Sequence, residues 1–259
     1  MALSESNYAL EFLLSEAPGG LSRDEGVLLS GQSLIAGAVV GQITKAQAAS
    51  PIPTIVGTGT GLMSALTFGP DVQTGSYVIT LTATSATAAF SVTAPDGTVL
   101  PTGNVATAYT STHLSFLIAN GGTMTTGDVF TVVVTAGGTP VLVGTGTGVV
   151  SAFSLGPDAQ NGAYRVQVLA TSATGEFEVI APDGSKLKRG QIATAYASSH
   201  INFTLANGGT MTSGDYFVLI VAKGSGKYVA VTPTTYDGRH VAAGVIANTC
   251  DATSADQDT

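Results

Sequence analysis

An internal duplication with a constant offset of 87 residues dominates the chain. GTGTGLMSA at 57–65 returns as GTGTGVVSA at 144–152, and GPDVQTGSY at 69–77 returns as GPDAQNGAY at 156–164. ATAYTSTHLSF at 106–116 returns as ATAYASSHINF at 193–203, and ANGGTMTTGD at 119–128 as ANGGTMTSGD at 206–215. Between 57–136 and 144–223, 44 of 80 aligned positions are identical, with no gap. Any fold of this chain must therefore hold two copies of one small domain. Each copy is long enough for a small sandwich and far short of a typical enzyme.

Comparing the copies reads out their faces. Tyr77/Tyr164, Ile79/Val166 and Leu81/Val168 stay apolar, whereas Val78/Arg165 and Thr80/Gln167 drift to polar. That is the period of a strand with one face buried. Phe90/Phe177 and Val92/Val179 behave in the same way. So do Leu114/Ile201, Phe116/Phe203 and Ile118/Leu205, and then Phe130/Phe217, Val132/Leu219 and Val134/Val221. Gly-Pro-Asp, Pro-Asp-Gly, Asn-Gly-Gly and Thr-Gly-Asp turns separate these runs. The reading is mainly β, with one immunoglobulin-like β-sandwich per repeat.

Charge narrows the function. The 259 residues carry 9 basic and 17 acidic side chains, net −8, and only 10% are charged. Residues 51–143 contain three Asp and no Lys, Arg or Glu, so Thr and Ser must carry the solubility of the first repeat. A nucleic-acid partner needs clustered basic residues and is not expected. Cys250 is the one cysteine, which leaves no intramolecular disulfide and no Cys-based zinc site. No run of some 18 apolar residues is present, so no membrane span is expected. Residues 1–20 carry three Glu and no basic residue, unlike a secretory signal, so synthesis in a cytoplasm is expected.

Several groups could bear chemistry. His113 and His200 occupy one position in the two repeats, with Asp128 and Asp215 further along the pattern, and a Ser-His-Asp arrangement can be imagined. A polar residue at a strand mouth is the simpler reading, because nothing signals oxyanion donors. The Gly-Thr-Gly-Thr-Gly runs lack the following helix of a phosphate loop and read as flexible lead-ins. Asp96 and Asp183 in Pro-Asp-Gly read as turn residues rather than calcium ligands. Cys250 reads as a small buried hydrophobe. Lys186-Leu-Lys-Arg189 reads as a solvated loop. No catalytic residue, metal site or cofactor is expected. Linkers are expected at Gln47–Thr60, stiffened by Pro51 and Pro53, and at Gly137–Thr147.

The flanks share nothing with the repeats and read best when joined across them. SRDEG at 22–26 and LIAGAVVGQIT at 34–44 lead on to GKY at 226–228. DG and VAAG follow within 237–244, then DAT and AD within 251–256. This ordered set resembles the bacteriophage head decoration protein family, the lambda-like capsid-stabilising proteins. The resemblance covers roughly 80 residues, all outside the repeats.

It implies a structural virion protein, not an enzyme. Such a protein is made in the host cytoplasm and bound as a homotrimer to the major capsid protein on the outer surface of the phage head. It implies an extended N-terminal capsid-binding arm at 1–20 and a discontinuous β-rich decoration core at 21–50 and 224–259. The sandwiches are then inserts at 54–138 and 141–223. In the arm, Leu10, Phe12 and Leu14 lie on one side of an extended strand, with Leu13 beside them. Pro18 begins the break before the folded part. Arg23, Asp24, Leu34, Val39, Tyr228 and Val241 are the candidate core and trimer contacts. Family members continue past the DAT–AD motif into another apolar stretch, where this chain reads QDT. The competing reading is a β-repeat adhesin whose sandwiches touch glycans or a host surface, and a hydrolase is the remotest.

Overall fold

The structure is a computed structural model that describes residues 24–50, 53, 55–119, 124–206 and 211–259. No helix occurs among the described residues. The chain forms two compact units. One comprises the described residues up to Lys45 together with Gly224–Thr259, and the other is Ala46–Lys223.

The chain begins with β1 (Val27–Leu28), β2 (Gln32–Leu34), β3 (Val39–Gln42) and β4 (Lys45–Ala49). The first repeat supplies β5 (Ile55–Val56), β6 (Leu62–Phe68), β7 (Gly75–Leu81), β8 (Ala89–Thr93), β9 (Val99–Asn104), β10 (Tyr109–Thr110), β11 (Leu114–Ala119) and β12 (Val129–Ala136). The second repeats them as β13 (Val141–Val143), β14 (Val149–Leu155), β15 (Gly162–Val168), β16 (Glu176–Ile180), β17 (Gly190–Gln191), β18 (Ala195–Ala197), β19 (Ile201–Ala206) and β20 (Tyr216–Lys223). The chain then runs through β21 (Tyr228–Ala230), β22 (Gly244–Val245), β23 (Cys250–Ala252) and β24 (Gln257–Asp258).

Each repeat is a sandwich. A three-stranded sheet, β10-β11-β6 or its twin β18-β19-β14, packs on strands of a long sheet ordered β17-β16-β15-β20-β4-β12-β7-β8-β9. The inward rows read from the sequence are the core. Tyr77, Ile79, Phe130 and Val132 are fully buried, as are Tyr164, Val166, Phe217 and Leu219. Aromatic contacts tie the two sheets of each sandwich: Phe90 to Phe116 at 5.5 Å between ring centroids, and Phe177 to Phe203 at the same distance.

A bulge alters the strict period of two. Phe116 faces both Ala65 and Leu66, because Ser115 pairs with Thr67 while Leu117 pairs with Ser64. The extra residue lets Met63 and Phe68, five apart, both point inward, as Val150 and Leu155 do in the second copy. It also turns Leu66 outward. Ala65 and Ala152 pay the conformational cost, each with φ of 52°.

The Gly-Thr-Gly runs, expected as flexible lead-ins, are instead pinned. Asp128 is 3% exposed and accepts backbone N–H bonds from Thr58 and Thr125, both at 2.9 Å. Asp215 does the same for Thr145, Gly146 and Thr212, at 3.1, 2.9 and 3.2 Å. Gly57, at φ 142°, has no room for a side chain, since a Cβ there would lie 2.0 Å from the Asp128 carboxylate. The segments expected as linkers also hold structure. Residues 47–49 belong to β4, which pairs with β12 and neighbours β20, and β5 and β13 lie in the same sheet.

The sandwiches pack on each other asymmetrically. Ile220 and Ala222 lie on the outer face of β20, yet they belong to the core cluster of the first repeat. Leu66, Ala163 and Val218 pack against that cluster from its margin. Lys223 fixes the join, with its N–H on Val72 O at 2.7 Å and its ammonium on Asp71 at 2.9 Å.

Two substitutions test these devices. Ala65→Gly and Ala152→Gly should each stabilise by about 0.5–1 kcal/mol by relieving the positive φ; a lowered denaturant midpoint would contradict the strain. Asp128→Ala leaves two N–H groups without their acceptor and should cost about 2–4 kcal/mol in the same measurement.

Candidate assembly surface

The small unit is assembled from sequence motifs at opposite ends of the chain. Its main sheet runs β22-β3-β21-β1-β24, and β2 pairs with β23 beside it. Leu28 of β1 pairs in parallel with Tyr228, while Val27 pairs antiparallel with Asp258, so the final residues close one edge. Leu28, Val40, Val229, Ile246 and Ala252 form its buried interior.

Each short motif meets another. A Cβ on Gly26 would lie 2.4 Å from the Tyr228 ring, so the last residue of SRDEG must be glycine for GKY to pack. Lys227 pairs with Asp256, whose other oxygen accepts the Ser30 N–H at 2.8 Å. Those bonds, Lys227 first, lower the Asp256 carboxyl below its ordinary range. Gln32 accepts the Ala230 N–H at 3.2 Å. The Asp237 carbonyl receives the N–H groups of Thr44 and Lys45, both at 2.9 Å, while its carboxylate grips Arg239 through Nε and NH2. Gly238, at φ 114°, sits so close that a Cβ would meet Gln42 O at 2.4 Å.

This unit has an apolar outer face. Val39 and Val245 are paired across β3 and β22 and are 47% and 50% exposed, while their neighbours Val40 and Ile246 are buried. Ile35 and Val241 are exposed at 56% and 58%. Nearby, His240 meets Tyr236 edge to face at 5.1 Å, and its buried Nδ1 has no hydrogen-bond partner among the described residues. Of the other candidates read from sequence, Leu34 is half-buried on β2 opposite Cys250, Tyr228 is half-buried on β21, and Asp24 is exposed. Leu10, Phe12, Leu13, Leu14, Pro18 and Arg23 lie outside the described residues. Ile35 and Val245 were missed by sequence reasoning. Val245 lies in a two-residue strand and Ile35 just past the three-residue β2, so no alternation exists to show which side chain faces out.

The groups weighed for chemistry are engaged in holding the sandwiches. His113 Nδ1 lies 3.1 Å from the Tyr77 hydroxyl, which accepts the Gln73 N–H at 2.8 Å, and His200, Tyr164 and Gln160 repeat the arrangement. Burial pushes the Tyr77 phenol up to about 12. Asp96 accepts from the Gln73 side chain and the Thr98 N–H, which hold its carboxyl at about 2. Asp183 is held at about 2 by Gln160 and Ser185. Asp128 and Asp215, occupied by backbone amides, are hydrogen-bonded to neither histidine.

A family model described as bacteriophage lambda head decoration protein D matches residues 2–259. No curated protein and no solved structure matches the chain.

Proposed function

The chain belongs to the bacteriophage lambda head decoration protein family, and from that premise we propose that it trimerises on the outer surface of the phage head and cements neighbouring major capsid subunits. The family is structural, and a capsid role follows from membership. The observation that carries the finer reading is the small unit itself. Its motifs converge from both ends of the chain, Val39 and Val245 stand exposed side by side on β3 and β22, and Ile35 and Val241 are exposed in the loops that lead into these strands. Exposed apolar side chains paired across strands in this way mark association surfaces. A neighbouring subunit would cover these side chains and could supply a partner for the His240 nitrogen.

The arm at 1–20 would add main-chain pairing to a capsid sheet, with Leu10, Phe12 and Leu14 as its side-chain anchors. Three arms on one trimer raise occupancy through effective concentration rather than through stronger single contacts. The sandwiches then add to the outer surface of the head without being needed for attachment. A second reading, glycan or host-surface contact by the sandwiches, has the Lys188 and Arg189 groove beside Tyr196 in its favour.

Thr44 O accepts the Gly224 N–H at 2.9 Å, so the chain can be rejoined there with Ala46–Lys223 removed. The shortened protein should occupy purified expanded heads as fully as the whole chain, and removal of residues 1–20 should abolish occupancy while circular dichroism is unchanged. Loss of binding on deleting the sandwiches, or retention without the arm, would overturn this reading. Val39→Asp with Val245→Asp should turn a trimer into a monomer in sedimentation equilibrium; an unchanged mass would move the trimer contact elsewhere.

A further inference from the structure

The duplication lets one contact be seen once and its counterpart be sought. Within Ala46–Lys223, the first sandwich offers the outward Leu66 and the turn bearing Asp71 to the outer face of β15 and β20. Ile220 and Ala222 are buried there, and Ala163 and Val218 are half-buried beside them. The contact is head-to-tail, joining one surface of a repeat to a different surface of its twin. Such a contact always leaves one copy of each surface unused.

Both unused surfaces are identifiable by the 87-residue offset. The counterpart of Leu66 is Phe153, which the same bulge turns outward on β14, partly exposed. The counterpart of the receiving face is the outer side of β7 and β12, with Ser76, Val78, Thr131 and Val133 in the places of Ala163, Arg165, Val218 and Ile220. Val78 and Val133 are 37% and 38% exposed. No charged residue stands on this face, because the only charges between residues 51 and 143 are Asp71, Asp96 and Asp128. The outer face of the second repeat has diverged the other way. Lys186 pairs with Glu178 and Arg189 with Glu176, while Arg165 covers Tyr216 at 4.1 Å.

We propose that the outer β7–β12 face of the first sandwich receives the Phe153 side of the second sandwich of another copy of this chain. The occupant is named by the internal contact, which shows which surface of a repeat fits which. The net charge of −8 makes copies repel, and this uncharged face is where that repulsion is least. One element is missing from the intermolecular version. Ala136 stands where Lys223 stands in the second repeat, so Asp158 has no ammonium to meet. The contact between chains is accordingly weaker than the internal one and, having no ion pair, is not weakened by salt. Repeated around a threefold it closes a ring, and without closure it links one oligomer to the next.

Single-cysteine chains test this on the isolated full-length protein, with no capsid present. In a Cys250→Ser background, a tagged Val133→Cys chain is mixed with an untagged Phe153→Cys chain under mild oxidation. A second mixture replaces Val133→Cys by Glu178→Cys, on the charged face. The 133–153 pair should give at least tenfold more mixed disulfide than the 178–153 pair, equally at low and high salt. An additional Val78→Lys in the Val133→Cys chain should remove that excess. Equal yields from the two mixtures, or an excess that survives Val78→Lys, overturn the proposal and leave the capsid reading untouched.

Discussion

Everything in this molecule depends on two strands of the small unit lying side by side where the chain leaves and returns. Ile43 donates to Lys227 O and accepts from Gly226, both at 2.9 Å, and Gly224 donates to Thr44 O at the same distance. These bonds bring the ends of the insertion to one point. A folded insert whose termini are adjacent closes that gap at little entropic cost, because closure entropy grows only slowly with loop length. A Cβ at Gly224 would lie 2.3 Å from Ile43 O, so the crossing leaves no room for a side chain.

The insert obeys a different constraint, imposed by its origin as a duplication. Both copies keep the tyrosine-histidine contact, the buried aspartate on the Gly-Thr-Gly run and the bulged first strand. Each would be costly to lose singly, since it satisfies buried polar groups or sets which side chains face inward. The outer faces carry no such debt and have diverged: one gained paired charges, the other kept Thr, Ser and Val. The low charge of the whole chain comes from this asymmetry, and so does the head-to-tail packing, which uses the outer face of one repeat and spares that of the other.

Much of this was legible from residues alone. The alternating rows from Tyr77 to Val134 could be read because two diverged copies show which positions tolerate polarity, and the structure buries those rows. The flanking motifs could be joined across the insert because their order survived, and they meet at Gly26 with Tyr228 and at Lys227 with Asp256. The misreadings share a cause. The Gly-Thr-Gly runs look flexible because glycine is read locally, but Asp128 and Asp215, some 70 residues away, supply the acceptors that fix them. Residues 47–49 look like linker because they run into Pro51 and Pro53, and their pairing with β12 is not written in their own pattern.

The sequence by itself determined the family, the β class, the doubled domain and the inward faces of β7, β8, β11, β12 and their twins, because these follow from periodicity and repetition along the chain. The tertiary structure alone decided which outward residues remain in water. Ile220 is lost to an internal contact while its counterpart Val133 is 38% exposed, and Val39 and Val245 are exposed where Val40 and Ile246 are buried. Burial on an outer face depends on which other surface arrives there, and that is set by packing between segments far apart in the chain.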